Sequence, residues 1–362
     1  MSIRLTDAAT LHPLVLPAPA DAAPTSEIRA YAEVRNRSIR DLTGRDDDDM
    51  TAESLLPVLR SDPACIRRQW YIETGGEMIG NAVLNIMNDD GGRTAITIIS
   101  LLRRVWGQGI GTAVLPHLDA AARDAGVERL LVWTEHPASD EPALSPPTGF
   151  GEVPRDHHAR FLLRHGFSLE QVERVSVLTW SDAVLERIRE AHADATRRAS
   201  GYRVVQWSLP TPAEHVAGYA WMKEHMSTDV PDADLEMPAE KWDAERVAHH
   251  DDRYLRRGCA VLVTAAQHIQ TGELCAYNEL AIGTDPAETA HQEDTLVLAS
   301  HRGHRLGMLV KTAGLMSWHE QYPDSPGVIT YNAEENRPML DINEAIGFAP
   351  IAYEGAWLKR LA

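Results

Sequence analysis

A strand, a glycine-rich turn and a helix are predicted twice in this chain. The first copy is residues 101–115, LLRRVWGQGIGTAVL, and the second is residues 294–314, DTLVLASHRGHRLGMLVKTAG. In each half a later helix is followed by the dipeptide Gly-Phe, at positions 166–167 and 347–348. A repeated order of elements is unlikely to arise by chance, so the sequence predicts two consecutive domains of the same fold.

The hydrophobic pattern places similar elements around both turns. In the first half it predicts helices over residues 26–40, 51–62, 112–124 and 157–165, and strands over residues 69–73, 80–87, 94–102, 129–134 and 172–180. In the second half it predicts strands over residues 202–209, 259–265, 275–282, 295–298, 328–331 and 352–358, helices over residues 211–226 and 237–257, and helices ending near Trp318 and Ile346. The Pro- and Ala-rich residues 1–25 are predicted to be irregular.

These elements give an α/β prediction of the mixed, α+β kind. Each domain is expected to hold a mostly antiparallel mixed sheet flanked by helices. The predicted division is an N-terminal domain over residues 1–182, a charged connecting helix over residues 183–200, and a C-terminal domain over residues 201–362.

Charge restricts the classes of partner. The chain has 53 Asp and Glu against 35 Lys and Arg, a formal net charge of −18. Such acidity argues against nucleic acid or an anionic membrane surface and favours a cationic small molecule. No apolar run approaches the ~20 residues of a membrane span. Residues 1–26 lack the pattern of a secretory leader, so a cytoplasmic protein is expected.

No metal site is predicted. Cys65, Cys259 and Cys275 are too scattered for a disulfide framework or a metal knuckle. The run His249-His250-Asp251-Asp252 holds metal-ligand types, but adjacent residues of a helix point in different directions and rarely chelate one ion.

The two turns are suited to binding phosphate. Glycines allow the backbone to approach a diphosphate closely, and the N–H groups at the start of a helix supply positive potential. A dinucleotide-binding fold is the main competitor. It requires a parallel βαβ unit with an acidic residue ~20 positions later, whereas here apparent hairpins precede the turn.

Both turns resemble the pyrophosphate loop of the GNAT superfamily of acyl-CoA-dependent N-acyltransferases. The family signature is Arg or Gln, two residues, Gly, one residue, then Gly or Ala. The resemblance covers nearly the whole chain as two domains, and tandem members such as mycothiol synthase have a similar arrangement. It implies these cofactor-binding residues: Val297, Leu298, Arg302, Gly303, His304, Arg305, Leu306, Gly307 and Asn336 in the second half, and Gly107, Gln108, Gly109, Ile110, Gly111 and Thr112 in the first.

Each copy departs from the family pattern at one position. Trp106 stands where the first loop should open with Arg or Gln, and Arg305 replaces the middle glycine of the second. Arg305 adds charge beside the phosphates, but a side chain at that position restricts the backbone.

The resemblance implies acetyl-CoA as cosubstrate and a carboxylate base on the strand that enters the loop, because an ammonium must lose a proton before it attacks. Glu293 holds that position, with Glu279 as the alternative base or an anchor for the substrate ammonium. The first half has Thr97 there, which cannot act as a base, so catalysis is predicted in the C-terminal domain.

No general acid can be assigned from the sequence. The family often places a tyrosine four residues before the glycine of Gly-Phe, and this chain has Asn343 there. Tyr331, Tyr353 and His304 are other possible donors, and proton exchange with solvent remains open.

The expected function is an N-acetyltransferase that acts on a primary amine of a small molecule, as a monomer or homodimer. The alternative is an acyl-CoA sensor or scaffold that binds the ligand without transfer.

Overall fold

The computed structural model describes residues 2–19 and 22–361. In the first half the elements are β1 Ile3–Arg4, β2 Ala9–Pro13, α1 Ser26–Thr43, α2 Ala52–Leu59, β3 Cys65–Thr74, β4 Glu77–Met87, β5 Thr94–Leu101, α3 Ile110–Asp124, β6 Arg129–His136, β7 Ala143–Leu144, β8 Val153–Pro154, α4 His157–Arg164 and β9 Ser168–Thr179. Helix α5, Asp182–Arg198, follows. A 3-10 turn, Arg103–Val105, precedes α3.

Among the described residues, the second half repeats this series without counterparts of β1, β7 and β8. Its elements are β10 Tyr202–Ser208, α6 Ala213–Asp229, α7 Ala244–Arg256, β11 Ala260–His268, β12 Leu274–Ile282, β13 Ala290–Val297, α8 Leu306–Gln321, β14 Gly327–Ala333, α9 Arg337–Ile346 and β15 Ala349–Arg360. A 3-10 turn, Ala299–His301, precedes α8 as the corresponding turn precedes α3.

The chain forms two compact units. The first unit comprises Met1–Val172, Ala233–Pro238 and Tyr353–Ala362, and the second comprises Glu173–Asp232 and Ala239–Ala352. The strand order is β1-β2-β3-β4-β5-β6-β15-β9 in the first unit and β9-β14-β13-β12-β11-β10 in the second.

Each unit has the mixed sheet that the sequence predicts. Most neighbouring strands are antiparallel, and the parallel pairs are β5 with β6 and β13 with β14. Helices cover the sheets, as the α/β prediction requires. The fold class is therefore confirmed.

Strands β9 and β15 each contribute to both units. Residues 168–172 of β9 belong to the first unit and residues 173–179 to the second, while β15 passes into the first unit at Tyr353. The predicted connecting segment, residues 183–200, separates two domains that are each continuous in sequence. In the structure the first unit also includes the segment that begins at Tyr353. Helix α5 occupies the predicted connecting segment.

The prediction that residues 1–25 are irregular is wrong for β2. This strand pairs with β3 and buries Ala9 and Leu11, the alternation expected of a strand with one face on the core. Its five residues are too short a pattern to stand out beside Pro and Ala. Met1, Ala20 and Asp21 lie outside the described residues, so the predictions for residues 1–26 are not tested there.

Within the described residues, no helix is both long and apolar enough to cross a membrane.

The core of the second unit contains a lysine. Helix α8 is packed against β11, β12 and α5, and Lys311 near its middle is fully buried. Its Nζ lies 3.7 Å from the Met339 sulfur and 5.5 Å from the centre of the Phe348 ring. Burial lowers the pKa of Lys311 to about 7 because a charged amine is poorly solvated there.

We predict that Lys311→Met makes the free energy of unfolding less dependent on pH. In the unfolded chain the lysine pKa is about 10.4, so between about pH 7 and pH 10 the unfolded state binds more protons. Wild-type stability should therefore rise with pH in that window, by up to about 1.4 kcal/mol per pH unit. Urea unfolding of both proteins from pH 7 to 10 should show a higher free energy of unfolding for the variant, and this difference should shrink as pH rises. A constant difference would contradict a neutral buried amine.

Candidate active site

The parallel strands of the second unit separate part-way along their length. Ala290, His291 and Gln292 of β13 pair with Val328, Ile329 and Thr330 of β14. Beyond these pairs β13 continues along β12, and β14 continues along β9. We call this opening, between residues 293–297 and residues 331–333, the fork. The strand edges facing the fork carry backbone groups that are not used in the parallel ladder and can bind an extended ligand.

The first unit has a corresponding opening. Strands β5 and β6 pair at residues 94–96 with residues 129–131, and no further pairs join these two strands within the described residues. Thr97 is the first residue past this point, and its hydroxyl donates to the Val83 carbonyl at 3.0 Å.

A β-bulge distinguishes the second unit at the fork. Asn278 pairs with Thr295 and Leu280 pairs with Gln292, so Glu293 and Asp294 both lie opposite Glu279. The matching strands β4 and β5 of the first unit keep an unbroken register. A bulge redirects side chains and is common beside active sites. Here it collects three carboxylates at the point where the strands separate.

Both loops have the same backbone conformation. Gly107 and Gly303 have φ of 74° and 86°, and Gly109 and Arg305 have φ of 78° and 62°. Arg305 therefore adopts the left-handed conformation that glycine adopts in the first loop, which is costly for a residue with a Cβ. This backbone matches the alignment that the sequence suggests.

The helices after these loops begin without a capping side chain. Gly109 and Arg305 occupy the N-cap positions of α3 and α8, and neither helix has a side-chain capping hydrogen bond. By contrast, Thr25, Ser181 and Asp243 cap α1, α5 and α7 through their side chains. The first N–H groups of α3 and α8 can thus bind an anion such as a diphosphate.

The second loop adds positive charge. Arg302 and Arg305 are about half exposed, and their nearest carboxylates, Asp229 and Asp194, lie 3.7 and 3.8 Å away. Such exposed pairs are weak, so both guanidinium groups can turn to a phosphate. The residues present fit the diphosphate of CoA.

Trp106 makes the first loop chemically different. Its indole ring stacks on His157 at 5.3 Å and 4°, and its N–H donates to the Leu101 carbonyl at 2.8 Å. The position that Arg302 occupies in the second loop is therefore occupied by a packed aromatic ring in the first.

A buried lysine joins two of the carboxylates at the bulge. Lys223 Nζ lies 2.7 Å from Asp294 Oδ2 and 3.1 Å from Glu279 Oε2. The Tyr277 hydroxyl donates to Asp294 at 3.0 Å, and the Tyr219 hydroxyl donates to Glu279. We call these five residues the lysine cluster.

Aromatic rings surround the ammonium of Lys223. Its Nζ lies 5.7 Å from the ring centre of Tyr219, 5.3 Å from Trp242 and 5.8 Å from Tyr277. The faces of such rings attract a cation, most strongly where water is excluded.

The two carboxylates of the lysine cluster differ electrostatically. Burial raises the pKa of Glu279 and outweighs the opposing effect of Lys223. Burial would also raise the pKa of Asp294, but Lys223 and the Tyr277 hydroxyl outweigh it, so that pKa is lowered. Burial disfavours the charged lysine, yet Asp294 and Glu279 raise the pKa of Lys223. Asp294 therefore stays ionised, and Glu279 holds a proton more readily than an ordinary glutamate.

The predicted catalytic residues occupy different environments. Glu293 is exposed at the bulge, whereas Glu279 is fully buried. Asn343 is buried on α9, and its amide donates to Asn332 Oδ1 on β14 at 2.7 Å. The structure thus brings Glu279 and Glu293 to one bulge and places Asn343 on the β14 side of the fork.

Asn336 lies at the N-cap position of α9, and its side chain makes no capping hydrogen bond. At the loop, Gly307 is close to α9 and β13, where an added Cβ would lie 3.0 Å from Ile342 Cδ1 and 3.4 Å from Val297 Cγ2. A larger residue at this position would have to displace Ile342 or Val297 by a few tenths of an ångström.

Sequence reasoning missed Lys223, Tyr219 and Tyr277. Tyr219 and Lys223 are four residues apart on α6, so they share one helix face. Tyr277 and Glu279 are two apart on β12 and share one sheet face. These spacings were visible, but nothing in the sequence indicated that the two faces meet.

Known proteins resemble part of this chain in sequence and nearly all of it in fold. Residues 31–145 match the family model described as the acetyltransferase (GNAT) family. The chain is similar to a tandem GNAT protein from the clavulanic acid biosynthesis pathway, with a TM-score of 0.72 and 23% identity over 98% of this chain and 99% of that chain. It is also similar to a GCN5-related N-acetyltransferase from Sphaerobacter thermophilus, with a TM-score of 0.60 and 14% identity over 99% of this chain and 97% of that one. A search of curated proteins finds no matching sequence.

We predict that Arg305→Gly raises the free energy of unfolding by about 1 kcal/mol, because it relieves a left-handed backbone at a side-chain-bearing residue. The lost contact with Asp194 is exposed and contributes little. The reverse change in the first loop, Gly109→Arg, should lower the free energy of unfolding by about 1–2 kcal/mol. An added Cβ at Gly109 would meet no atom within 4 Å, so this cost comes from the left-handed backbone and not from a clash. Chemical denaturation measures both, and equal effects of the same sign would contradict the assignment.

Proposed function

We propose that this chain is an N-acetyltransferase with a two-domain GNAT architecture, because residues 31–145 match the acetyltransferase (GNAT) family model and the fold is similar to that of a tandem GNAT protein. It moves an acetyl group from acetyl-CoA to a primary amine of a small molecule by direct attack, and the second unit carries out the transfer. The observation that carries the proposal is the bulge at the fork, where Glu293 adjoins the lysine cluster on the strand that leads into the second loop and the uncapped helix α8.

When bound, acetyl-CoA supplies the thioester carbonyl and the thiol leaving group. The loop residues Arg302, Gly303 and Arg305 hold the diphosphate with the first N–H groups of α8. The facing edges of the fork hold the extended arm through backbone hydrogen bonds. These contacts fix the thioester beside the bulge and so reduce the entropy cost of the reaction.

Glu293 is the proposed base. It accepts a proton from the substrate ammonium, directly or through water, and leaves a neutral amine to attack the carbonyl carbon. The C–N bond forms as the C–S bond breaks. The attacking nitrogen loses its second proton to solvent as the amide forms, and the departing thiolate takes a proton from solvent, so that one proton is released overall through Glu293. Exposure of Glu293 supports this role, because the proton must afterwards return to water.

The lysine cluster supports the bulge rather than the proton transfer. Asp294 is held by Lys223 and Tyr277, which fixes the backbone beside Glu293. Glu279 stays behind this pair as a buried carboxylate with a raised pKa, and it is the second candidate base. Asn343 contributes hydrogen bonding rather than a proton, since an amide N–H is not acidic at neutral pH.

The first unit is proposed to be non-catalytic. The family match lies in the first half, where WGQGIG keeps the glycines of the signature. Its strand β5, however, has Thr97 in place of a carboxylate and no bulge. The loop that keeps the glycines of the family signature therefore lies in the first half, whereas the proposed catalytic carboxylate lies in the second.

A small aminated metabolite, such as an amino sugar or an amino-acid derivative, is the proposed substrate class. The net charge of −18 favours approach of a cation, and Glu293 offers it an exposed carboxylate. The protein is expected to act in the cytoplasm as a monomer or homodimer.

We predict that Glu293→Gln lowers kcat/KM by about 10²- to 10⁴-fold, the usual contribution of a general base. The assay is thiol release from acetyl-CoA over a panel of primary amines. Glu320→Gln, an exposed carboxamide substitution on α8, is the matched control and should leave turnover unchanged. Turnover that survives in Glu293→Gln removes this base, and CoA binding without turnover for any amine in the wild type favours the sensor alternative.

We predict that Gly303→Val reduces turnover by about 10²-fold, because a misplaced loop displaces the thioester. Gly107→Val is its matched control, since both glycines have positive φ and open space for a Cβ. Loss of turnover in Gly107→Val alone would instead place catalysis in the first unit.

A further inference from the structure

Three side chains with different metal-binding chemistry converge just before the second loop. Glu273 immediately precedes β12, Cys275 is the second residue of that strand, and His301 ends the 3-10 turn that precedes Arg302. Their ligand atoms all lie within 4.8 Å of one another, and His301 Nε2 is 3.7 Å from Glu273 Oε2. Cys275 is buried, while the side chains of His301 and Glu273 are 17% and 45% exposed. The thiol of the group is therefore buried, while the side chains of His301 and Glu273 reach solvent.

Backbone hydrogen bonds fix this group. The Leu298 N–H donates to the Cys275 carbonyl at 3.0 Å, and the His301 N–H donates to the Leu298 carbonyl at 2.9 Å. The Glu273 carbonyl accepts from the His268 N–H at 2.8 Å. The positions of all three candidate ligands are thus set by the fold rather than by free loops.

Tyr202 orients the imidazole. Its hydroxyl is hydrogen-bonded to His301 Nδ1 at 2.8 Å, which leaves Nε2 directed to Glu273. Ligating histidines commonly have such a partner on the other ring nitrogen, because it fixes the ring and its tautomer. Two more imidazoles, His268 and His304, lie with their ring centres 5.3 and 5.4 Å from the Tyr202 ring.

We propose that Glu273, Cys275 and His301 form a site for a divalent transition-metal ion of borderline softness, with Zn²⁺ the best fit. Zinc accepts a thiolate, an imidazole nitrogen and a carboxylate oxygen together, and water completes a tetrahedral set. On binding, the Cys275 thiol releases its proton to solvent and exchanges its 3.4 Å hydrogen bond to the Glu273 carbonyl for a metal–sulfur bond. Expected metal–ligand lengths are about 2.0–2.3 Å, so the three side chains close in around the ion.

The site was not visible in the sequence. Glu273 and Cys275 are two apart, but His301 lies 26 positions beyond Cys275, and no regular spacing links them. The expectation of no metal depended on such spacings, whereas the proposal depends on a cluster that forms only in space.

Metal binding is expected to stabilise the turn that leads into the loop. The ion would tie the start of β12 to the 3-10 turn Ala299–His301, and Arg302 follows directly. The site does not depend on the acyl-transfer proposal, because neither Glu293 nor the fork contributes a ligand.

The test is titration of the full-length, chelator-treated protein with Co²⁺, and then competition with Zn²⁺. We expect one ion per chain, a thiolate-to-cobalt charge-transfer band and visible bands of tetrahedral Co²⁺. Cys275→Ser should abolish the charge-transfer band, and Tyr202→Phe should weaken affinity about tenfold or more. Cys259→Ser is the matched control, because Cys259 is also partly shielded but lies outside the group.

Thermal unfolding supplies the second readout. Zn²⁺ should raise the midpoint of the wild type and of Cys259→Ser, and should have little effect on Cys275→Ser or His301→Gln. Cobalt binding without a charge-transfer band, or with the same affinity in Cys275→Ser, would identify adventitious binding to surface imidazoles and overturn the proposal. Absence of any binding would overturn it equally.

Discussion

The separation of β13 from β14 is the constraint on which the second unit's chemistry depends. Pairing stops at Gln292, and at the next residue a bulge sets Glu293 and Asp294 against Glu279. The end of the pairing opens the sheet, and the bulge between β12 and β13 gathers the carboxylates beside the opening. A continuous ladder would use the same backbone groups internally and leave no opening. The first unit has the opening but not the bulge, which is why the two units differ in their proposed roles.

Burial of Lys223 between two carboxylates determines the electrostatics beside this bulge. Burying Lys223 and Glu279 beside the partly exposed Asp294 is costly, and the close contacts and aromatic rings offset part of that cost. Stability alone does not explain such a cluster, because well-packed apolar side chains in its place often give an equally stable protein. Its position next to Glu293 instead suggests that it holds the bulge in one geometry. The proposed metal group acts at the other end of the same segment, immediately before the loop.

The sequence predicted the fold well because it depends on local periodicity and on a repeated turn. Helix α8 and strand β14 lie where the pattern placed them, and the fold class is confirmed. Strand β2 was missed because its five residues hold too little pattern. The passage of β15 into the first unit was not predictable, since no local signal specifies which sheet a strand joins.

The candidate site was predictable only in part. Glu293 and Glu279 followed from the family resemblance, and their roles remain predictions. Lys223 was not found, because its importance arises where α6 meets β12, a contact between segments more than fifty residues apart. The group of Glu273, Cys275 and His301 was missed for the same reason. Such sites are set by tertiary packing, which spacing along the chain does not encode.

The proposed function requires acetyl-CoA to bind at the fork of the second unit. Hydrogen exchange of the backbone amides, measured on the full chain with and without CoA, tests it most directly. We expect CoA to protect residues 303–308 and 331–333 strongly and residues 107–112 much more weakly. Protection confined to residues 107–112, or none in either loop at saturating CoA, would contradict it.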